Sequence, residues 1–248
     1  MLAEFLSYIK KNRVFCLLRK IFFPDPIKDY VEGNVLILGV KGAGAVTVSE
    51  LIKSTNEKYS ALEKISIVPS YSTSVDAMKR SFGLPVGKTR FIKTTLINDL
   101  RATQATPSVR GVTLALDGKS ERLVYDKLVN KVLDVIPLTN RVAKVLISIS
   151  EVELLKPSTA MRICELAKDE NVVFVLTAYS LRVRSEELMS SLDSLVVTRV
   201  QGARLLFSKF HQRFPIDGAD PIALTEGGRG EYHLFTASGR IFSQKIKT

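Results

Sequence analysis

Short uninterrupted apolar runs recur along the chain and alternate with segments of helical periodicity. The runs cover residues 34–39, 65–68, 142–149 and 172–176. Runs of this length are typical of strands that are buried on both faces of a parallel sheet. The segments with helical periodicity are residues 47–53, 74–81, 120–135 and 157–168. The alternation predicts an α/β fold in which helices cover both faces of a mainly parallel sheet.

Shorter strand patterns complete the predicted sheet. We expect further strands at residues 89–97, 110–116, 195–200 and 203–207, the last two around Gly202. Residues 231–235 and 240–247 then predict a hairpin around Gly239. Because a hairpin joins antiparallel strands, the sheet is expected to end in a C-terminal antiparallel hairpin.

The first residues have a different pattern from the rest. Apolar side chains recur at helical spacing over residues 1–23, with Lys and Arg between them, and Pro24 and Pro26 end the pattern. We therefore divide the chain into a basic amphipathic helix at 1–24 and an α/β domain at 30–248. Such a helix can lie on a membrane, a protein partner or DNA, or it can pack on its own domain.

A glycine-rich turn follows the first apolar run and precedes a helix. It reads Gly39-Val40-Lys41-Gly42-Ala43-Gly44. In the phosphate-binding loop G-x-x-x-x-G-K-[ST], glycines let backbone N–H groups converge on phosphate at a helix N-terminus. The two glycines that define this spacing are present.

The charged and hydroxyl positions of the motif are changed. Ala45 stands where the motif has Lys, and Val46 stands where it has Ser or Thr. Lys41 within the loop and Thr47 one position later are the candidates to replace them. Two alternatives stay open, a dinucleotide-binding turn with Glu63 as the ribose ligand and a tight turn without a ligand. Residues 83–89 contain Gly-Lys-Thr in the wrong context and are interpreted as a turn.

The chain resembles the RecA-like branch of the P-loop ATPases. Within that branch it is most similar to recombinase paralogues and to HerA/FtsK-type motors. In that family an apolar strand ends in Asp-Glu, and here Ser150-Glu151 follows such a strand. The resemblance implies that Glu151 activates water, that Thr177 is a sensor residue at the end of the next strand, and that ATP or ADP binds with Mg²⁺. Ala45 and Ser150 stand where the family has a Lys and an Asp. Without these two charged groups, much of the electrostatic stabilisation of the transition state for phosphoryl transfer is expected to be lost.

The charge balance indicates a polyanionic partner. The chain has 248 residues, with Lys+Arg 36 against Asp+Glu 25 and a net charge of +11. An excess of this size suits nucleic acid or an anionic membrane surface. The candidate nucleic-acid contacts are Arg80, Lys88, Arg90, Arg182, Arg184 and Arg229. A second group of basic residues, at positions 199–213, is interleaved with phenylalanines, which either stack on bases or point into the core.

Other kinds of chemistry have little support. The two histidines and two cysteines are not in metal-binding spacing, so no metal site is predicted. No signal peptide or membrane-spanning run is recognised, and we expect a cytoplasmic protein.

These observations predict a non-catalytic or weakly active P-loop ATPase-like protein. It would bind DNA or RNA, an active ATPase partner, or both, as part of a homo- or hetero-oligomer. The alternatives are an active DNA-dependent NTPase with an unconventional site and a membrane-associated factor.

Overall fold

A computed structural model of the chain describes residues 25–60, 62–68, 111–115, 122–135, 144–180, 186–228 and 230–245. The predictions made for residues 1–24, 74–81, 83–89 and 89–97 lie outside these described residues.

The described strands form one sheet. They are β1 Val35–Leu38, β2 Glu63–Val68, β3 Gly111–Ala115, β4 Val145–Ile149, β5 Val172–Ala178, β6 Ser194–Val197, β7 Glu231–Thr236 and β8 Ile241–Lys245. Their order across the sheet is β3-β2-β4-β5-β1-β6-β7-β8. Neighbours from β3 to β6 in this order run parallel. β7 is antiparallel to both β6 and β8, so the predicted mainly parallel sheet with a C-terminal hairpin is confirmed.

The described helices connect these strands. They are α1 Pro26–Asp29, α2 Ala45–Thr55, α3 Glu57–Ser60, α4 Arg122–Val135, α5 Pro157–Leu166, α6 Glu186–Ser190, α7 Ala203–Phe210 and α8 Pro221–Glu226. Single 3₁₀ turns lie at Val152–Leu154 and Ile216–Gly218.

The strand predicted at residues 203–207 is wrong, because this segment is the first part of α7. Its buried residues are Ala203, Leu206 and Phe210, whose spacing follows the helical period. The apolar residues at 203, 205 and 207 suggested alternation, but Leu205 is exposed. Gly202, with a φ of 87°, begins the helix instead of separating two strands.

Strand β1 lies in the middle of the sheet and contributes to two cores. Leu36 and Leu38 belong to the larger apolar cluster, on one face of the sheet. Val35 and Ile37 belong to the second cluster, on the face that α2 covers. All four side chains are buried, which explains why β1 is a continuous apolar run.

Helix α2 is fixed to its face of the sheet by apolar and charged contacts. Val48 and Ile52 are fully buried in the second cluster. Lys53 is also buried, and its ammonium lies 2.5 Å from Glu50 and 3.4 Å from the Ser148 hydroxyl. Burial lowers the pKa of Lys53. The orientation of α2, and therefore of the loop before it, is set along the whole helix.

Asn34 ties together four segments at the amino edge of the sheet. Its side-chain amide donates to the carbonyls of Ala167 and Ser191, at 3.3 Å each. Its side-chain oxygen accepts from the N–H of Phe174 at 2.9 Å. These bonds link the start of β1 to β5 and to the ends of α5 and α6.

Replacing Asn34 with Ala is expected to lower the free energy of unfolding by about 2–4 kcal/mol, because buried backbone groups lose their partners. Urea denaturation measures the change. Gln212→Ala, at an exposed position, is the control and should change stability by less than about 0.5 kcal/mol. A loss in Asn34→Ala no larger than in the control would contradict this role.

Candidate nucleotide-binding site

The predicted phosphate loop has the backbone conformation that its glycines permit. Gly42 and Gly44 have positive φ angles of 87° and 100°. Gly44 is the N-cap of α2 and provides no side-chain cap. The first N–H groups of an α-helix have no partner within the helix, so this end can bind an anion.

The start of the loop is held by the strands on both sides of β1. The Gly39 N–H donates to the Ala178 carbonyl at 3.1 Å, and the Val40 N–H donates to the Arg199 carbonyl at 2.7 Å. Gly39 also lies close to Thr198, since a Cβ on Gly39 would be 1.8 Å from the Thr198 hydroxyl oxygen. Only glycine fits this position without a rearrangement.

The two residues at the changed positions of the motif are apolar and at least partly buried. Ala45, the first residue of α2, is only 2% exposed, and its side chain packs in the second apolar cluster between α2 and the sheet. Val46 is half-buried, whereas Thr47 and Lys41 are exposed. The predicted candidates Lys41 and Thr47 therefore lie on the loop and on the first turn of α2, at the solvent surface.

Glu151 follows β4 in a conformation that is rare for a residue with a side chain. Its φ is 55°, and its side chain is buried. Burial raises the pKa of Glu151 to about 7, the charge of Glu153 adds to the rise, and the Lys41 ammonium opposes it. The predicted residues Glu151 and Lys41 are thus close enough to interact electrostatically.

Glu153 is a further acidic residue of this site that the sequence analysis did not identify. One of its carboxylate oxygens accepts from the Tyr179 N–H at 2.9 Å, just after β5. The other is buried and has no hydrogen-bond partner within the described part of the chain. Burial raises the pKa of Glu153. Its only sequence signal is its position two residues after Glu151.

Ser150, at the position where the RecA-like ATPases that the chain resembles have Asp, is enclosed by protein. It is buried, and its carbonyl accepts from the hydroxyl of Tyr125 in α4. The Ile67 carbonyl lies 3.3 Å from the same hydroxyl, whose single proton the two carbonyls share. P-loop enzymes hold Mg²⁺ with a hydroxyl and a carboxylate at these two positions, where this chain has Val46 and Ser150.

Thr177, the predicted sensor residue, lies inside the fold. It pairs with Ile37 in the register of β5 and β1 and is 2% exposed. Its hydroxyl oxygen is buried and makes no hydrogen bond to the rest of the described chain. Thr177 therefore lies near the start of the loop, but beneath the surface.

The predicted nucleic-acid contacts Arg80, Lys88, Arg90, Arg182, Arg184 and Arg229 lie outside the described residues. Gly230, the next residue after Arg229, lies beside the loop, because a Cβ on Gly44 would be 3.9 Å from the Gly230 Cα.

The phenylalanines among the later basic residues point to the core. Phe210 and Phe214 are buried, and Phe207 is partly buried against the same cluster. They are therefore not available to stack on bases, whereas Arg204 on the same helix is exposed.

Among the described residues, no group of three or more His, Cys, Asp or Glu side chains is arranged to hold a metal ion. None of the helices in the described ranges is long and apolar enough to cross a membrane.

By sequence, the chain matches no family model and no curated protein. By structure, it is similar to VirB4 of Thermoanaerobacter pseudethanolicus, with a TM-score of 0.63 and 12% identity over 90% of this chain and 92% of that one. It is also similar to the genome packaging NTPase B204 of Sulfolobus turreted icosahedral virus 2 in complex with AMPPCP, with a TM-score of 0.61 and 12% identity over 88% and 98%.

A third similar structure contains ATPases 2 and 3 of EssC from Geobacillus thermodenitrificans. Its TM-score is 0.51 at 14% identity, over 86% of this chain and 39% of that one. At these identities the similarity shows the fold alone, which is that of the P-loop NTPases.

The raised pKa of Glu151 predicts a pH-dependent stability. Because the folded carboxyl keeps its proton to a higher pH than the unfolded one, the free energy of unfolding falls as pH rises from the ordinary 4.5 to about 7. Glu151→Gln removes this contribution. We expect the variant to be more stable than the parent by on the order of 1–3 kcal/mol above this window and to show no gain below it.

Urea denaturation at several pH values measures the difference between parent and variant. Glu165→Gln, on the exposed side of α5, is the matched control. Its free energy of unfolding should equal that of the parent at every pH tested. The same stability difference at all pH values would exclude a raised pKa for Glu151.

Proposed function

We propose that this chain is a RecA-like, P-loop ATPase-like protein that binds nucleic acid, an active ATPase partner, or both, and hydrolyses ATP weakly or not at all. It would act in nucleic-acid transactions as a subunit of a homo- or hetero-oligomer. The observation that carries the proposal is a phosphate loop that keeps its backbone conformation without the groups that neutralise charge.

Backbone N–H groups at the start of α2 support binding of ATP or ADP. They need no side chain at positions 45 and 46, and the glycines at 42 and 44 leave the loop open to a phosphate. Exposed Thr47 adds a hydroxyl in the first turn. Mg²⁺ has less support, because Ala45, Val46 and Ser150 replace the groups that work with it.

Charge and structural similarity support the nucleic-acid role. The net charge of +11 favours a polyanion. B204, which shares the fold, is named as a genome packaging NTPase and a DNA-packaging ATPase. Arg204 adds an exposed guanidinium in the first turn of α7.

An active NTPase with an unconventional site is the second candidate, favoured by the interaction of Lys41 with Glu151. In that case Lys41 would supply the missing positive charge and Glu151 would activate water. Phosphate release in the presence of DNA, abolished in Glu151→Gln, would support this candidate against the first.

The first test is the affinity for ADP and ATP with and without Mg²⁺. We expect weak binding that changes less than about threefold when Mg²⁺ is added, because the ligands for the ion are missing. Ala45→Lys should bind about tenfold or more tightly, since a charge-assisted hydrogen bond contributes about 1.5–3 kcal/mol. Calorimetric titration measures the effect of Mg²⁺ and the effect of Ala45→Lys on the affinity. Melting curves first establish that each protein is folded.

Ser54→Lys is the matched control, because it adds the same charge at an exposed position near the other end of α2. It should bind like the parent protein. Binding by the parent that depends strongly on Mg²⁺ would contradict a loop without metal-linked groups.

The second test is the salt dependence of binding to single-stranded DNA. The logarithm of the affinity should fall linearly with the logarithm of salt concentration, and Arg204→Ala should reduce the slope by about 0.7, as expected for one lost phosphate contact. Lys168→Ala, an exposed change at the amino edge of the sheet, should leave the slope unchanged. Fluorescence anisotropy measures these slopes, and absence of binding at low salt would rule out the nucleic-acid role.

A further inference from the structure

A small cavity opens at the carboxyl edge of the sheet, beside the first glycine of the loop. Its volume is about 170 Å³, and Leu38, Gly39 and Val200 form part of its lining. The position is a reversal point of the sheet, because β1 connects to β2 on one side while β6 continues to β7 on the other. Ligands of open α/β sheets bind at such points, beyond the carboxyl ends of the strands.

The cavity is lined by residues from both faces of the sheet. Leu38 and Val200 belong to the larger apolar cluster, whereas Tyr179 packs against the second cluster, which includes Ala45 and Val48 of α2. Leu205 of α7 also lines the cavity, so a ligand there would contact α7.

The lining combines apolar, aromatic and hydrogen-bonding groups. Leu205 is 47% exposed, so it presents apolar surface at the opening. The half-buried Tyr179 contributes an aromatic ring, while Ser180 and Gln201 contribute a hydroxyl and an amide. An apolar cavity with an aromatic ring and a few polar groups suits a planar heteroaromatic ring, whose faces stack and whose edge forms hydrogen bonds.

Size and charge narrow the choice of ligand. The volume is well below the ~300–1,000 Å³ of pockets that enclose drug-sized ligands, so a single ring system fits better than a whole nucleotide. Arg199 and Arg204 are next in sequence to Val200 and Leu205 of the lining. Proteins bind single-stranded nucleic acid by combining basic side chains, which contact phosphates, with aromatic rings, on which bases stack.

We propose that this cavity accepts one unstacked base of a single-stranded nucleic acid, with Tyr179 stacking on the base, Gln201 contacting its edge and Arg204 contacting a neighbouring phosphate. The proposal rests on the proposed nucleic-acid role and specifies where that role resides. It also assigns the aromatic contact to Tyr179, because Tyr179 lines the cavity whereas the phenylalanines at 207, 210 and 214 do not.

The test uses the full chain and a single-stranded oligonucleotide of about 12 nucleotides that contains 2-aminopurine, a length within the site sizes of such proteins. Anisotropy of an end label reports binding, and quenching of 2-aminopurine reports stacking. We expect both signals with the parent protein. Tyr179→Leu should lose the quenching and bind at least about fivefold more weakly, the lower limit for one lost base–aromatic stack.

Three further variants separate the contributions. Leu205→Ala and Gln201→Ala, both at exposed positions, should weaken binding and reduce the quenching, and they keep the test valid if Tyr179→Leu does not fold. Arg204→Ala should weaken binding while the quenching at saturation is retained. Ile222→Ala, at a 62% exposed apolar residue of α8 that does not line the cavity, is the control and should match the parent protein.

Two outcomes would overturn the cavity proposal while leaving nucleic-acid binding in place. In the first, the parent protein changes the anisotropy without quenching 2-aminopurine, and Tyr179→Leu and Leu205→Ala bind with the same affinity as the parent. The other is displacement of the base by ADP or adenosine, with recovery of fluorescence, which would assign the cavity to a mononucleotide. No anisotropy change at low salt would instead overturn the nucleic-acid role itself.

Discussion

The candidate site depends on how the middle of the sheet holds the beginning of the loop. Backbone hydrogen bonds from Gly39 to Ala178 and from Val40 to Arg199 continue the pairing of β1 with β5 and β6 beyond its last residue. Gly39 has no side chain, so Thr198 can approach it closely. The loop then turns through Gly42 and Gly44 into α2, whose orientation is fixed by buried contacts. The backbone conformation therefore does not require a Lys at position 45.

Because the backbone conformation of the loop does not depend on a charged side chain, the fold can keep this loop with Ala45 in place of Lys. Ala45 packs in the apolar core beneath α2, and Ser150 is enclosed beneath Tyr125. Charged side chains near the loop include Lys41, Glu151 and Glu153. A carboxylate pair beside a phosphate site opposes the binding of an anion unless protons, a cation or Lys41 compensate for it.

Sequence patterns predicted the parts of the fold that depend on local periodicity. The buried strands β1, β4 and β5, the helix after the loop and the C-terminal hairpin all have such signals. Residues 203–207 were predicted wrongly because their apolar positions fit both the helical and the strand period, and only packing of Leu206 and Phe210 on the sheet decides between them. The role of Gly39 follows from the motif, but its contact with Thr198 depends on strand order.

The site itself was only partly predictable. The loop glycines and Glu151 are recognisable from spacing, whereas Glu153 and Tyr179 meet through a hydrogen bond between two separate strand ends. The burial of Thr177 depends on α2 lying over β5 and β1. The cavity joins residues after β1, β5 and β6 with one residue of α7, and no local pattern brings these together.

The groups proposed to bind phosphate in the loop are its backbone N–H groups. The most direct measurement is an NMR titration of the ¹⁵N-labelled protein with ADP in the absence of Mg²⁺. We expect the amide resonances of Gly42, Gly44 and the first turn of α2 to shift with ADP and to shift no further when Mg²⁺ is added. Unchanged loop resonances, or shifts that occur only with Mg²⁺, would contradict binding of phosphate by these N–H groups.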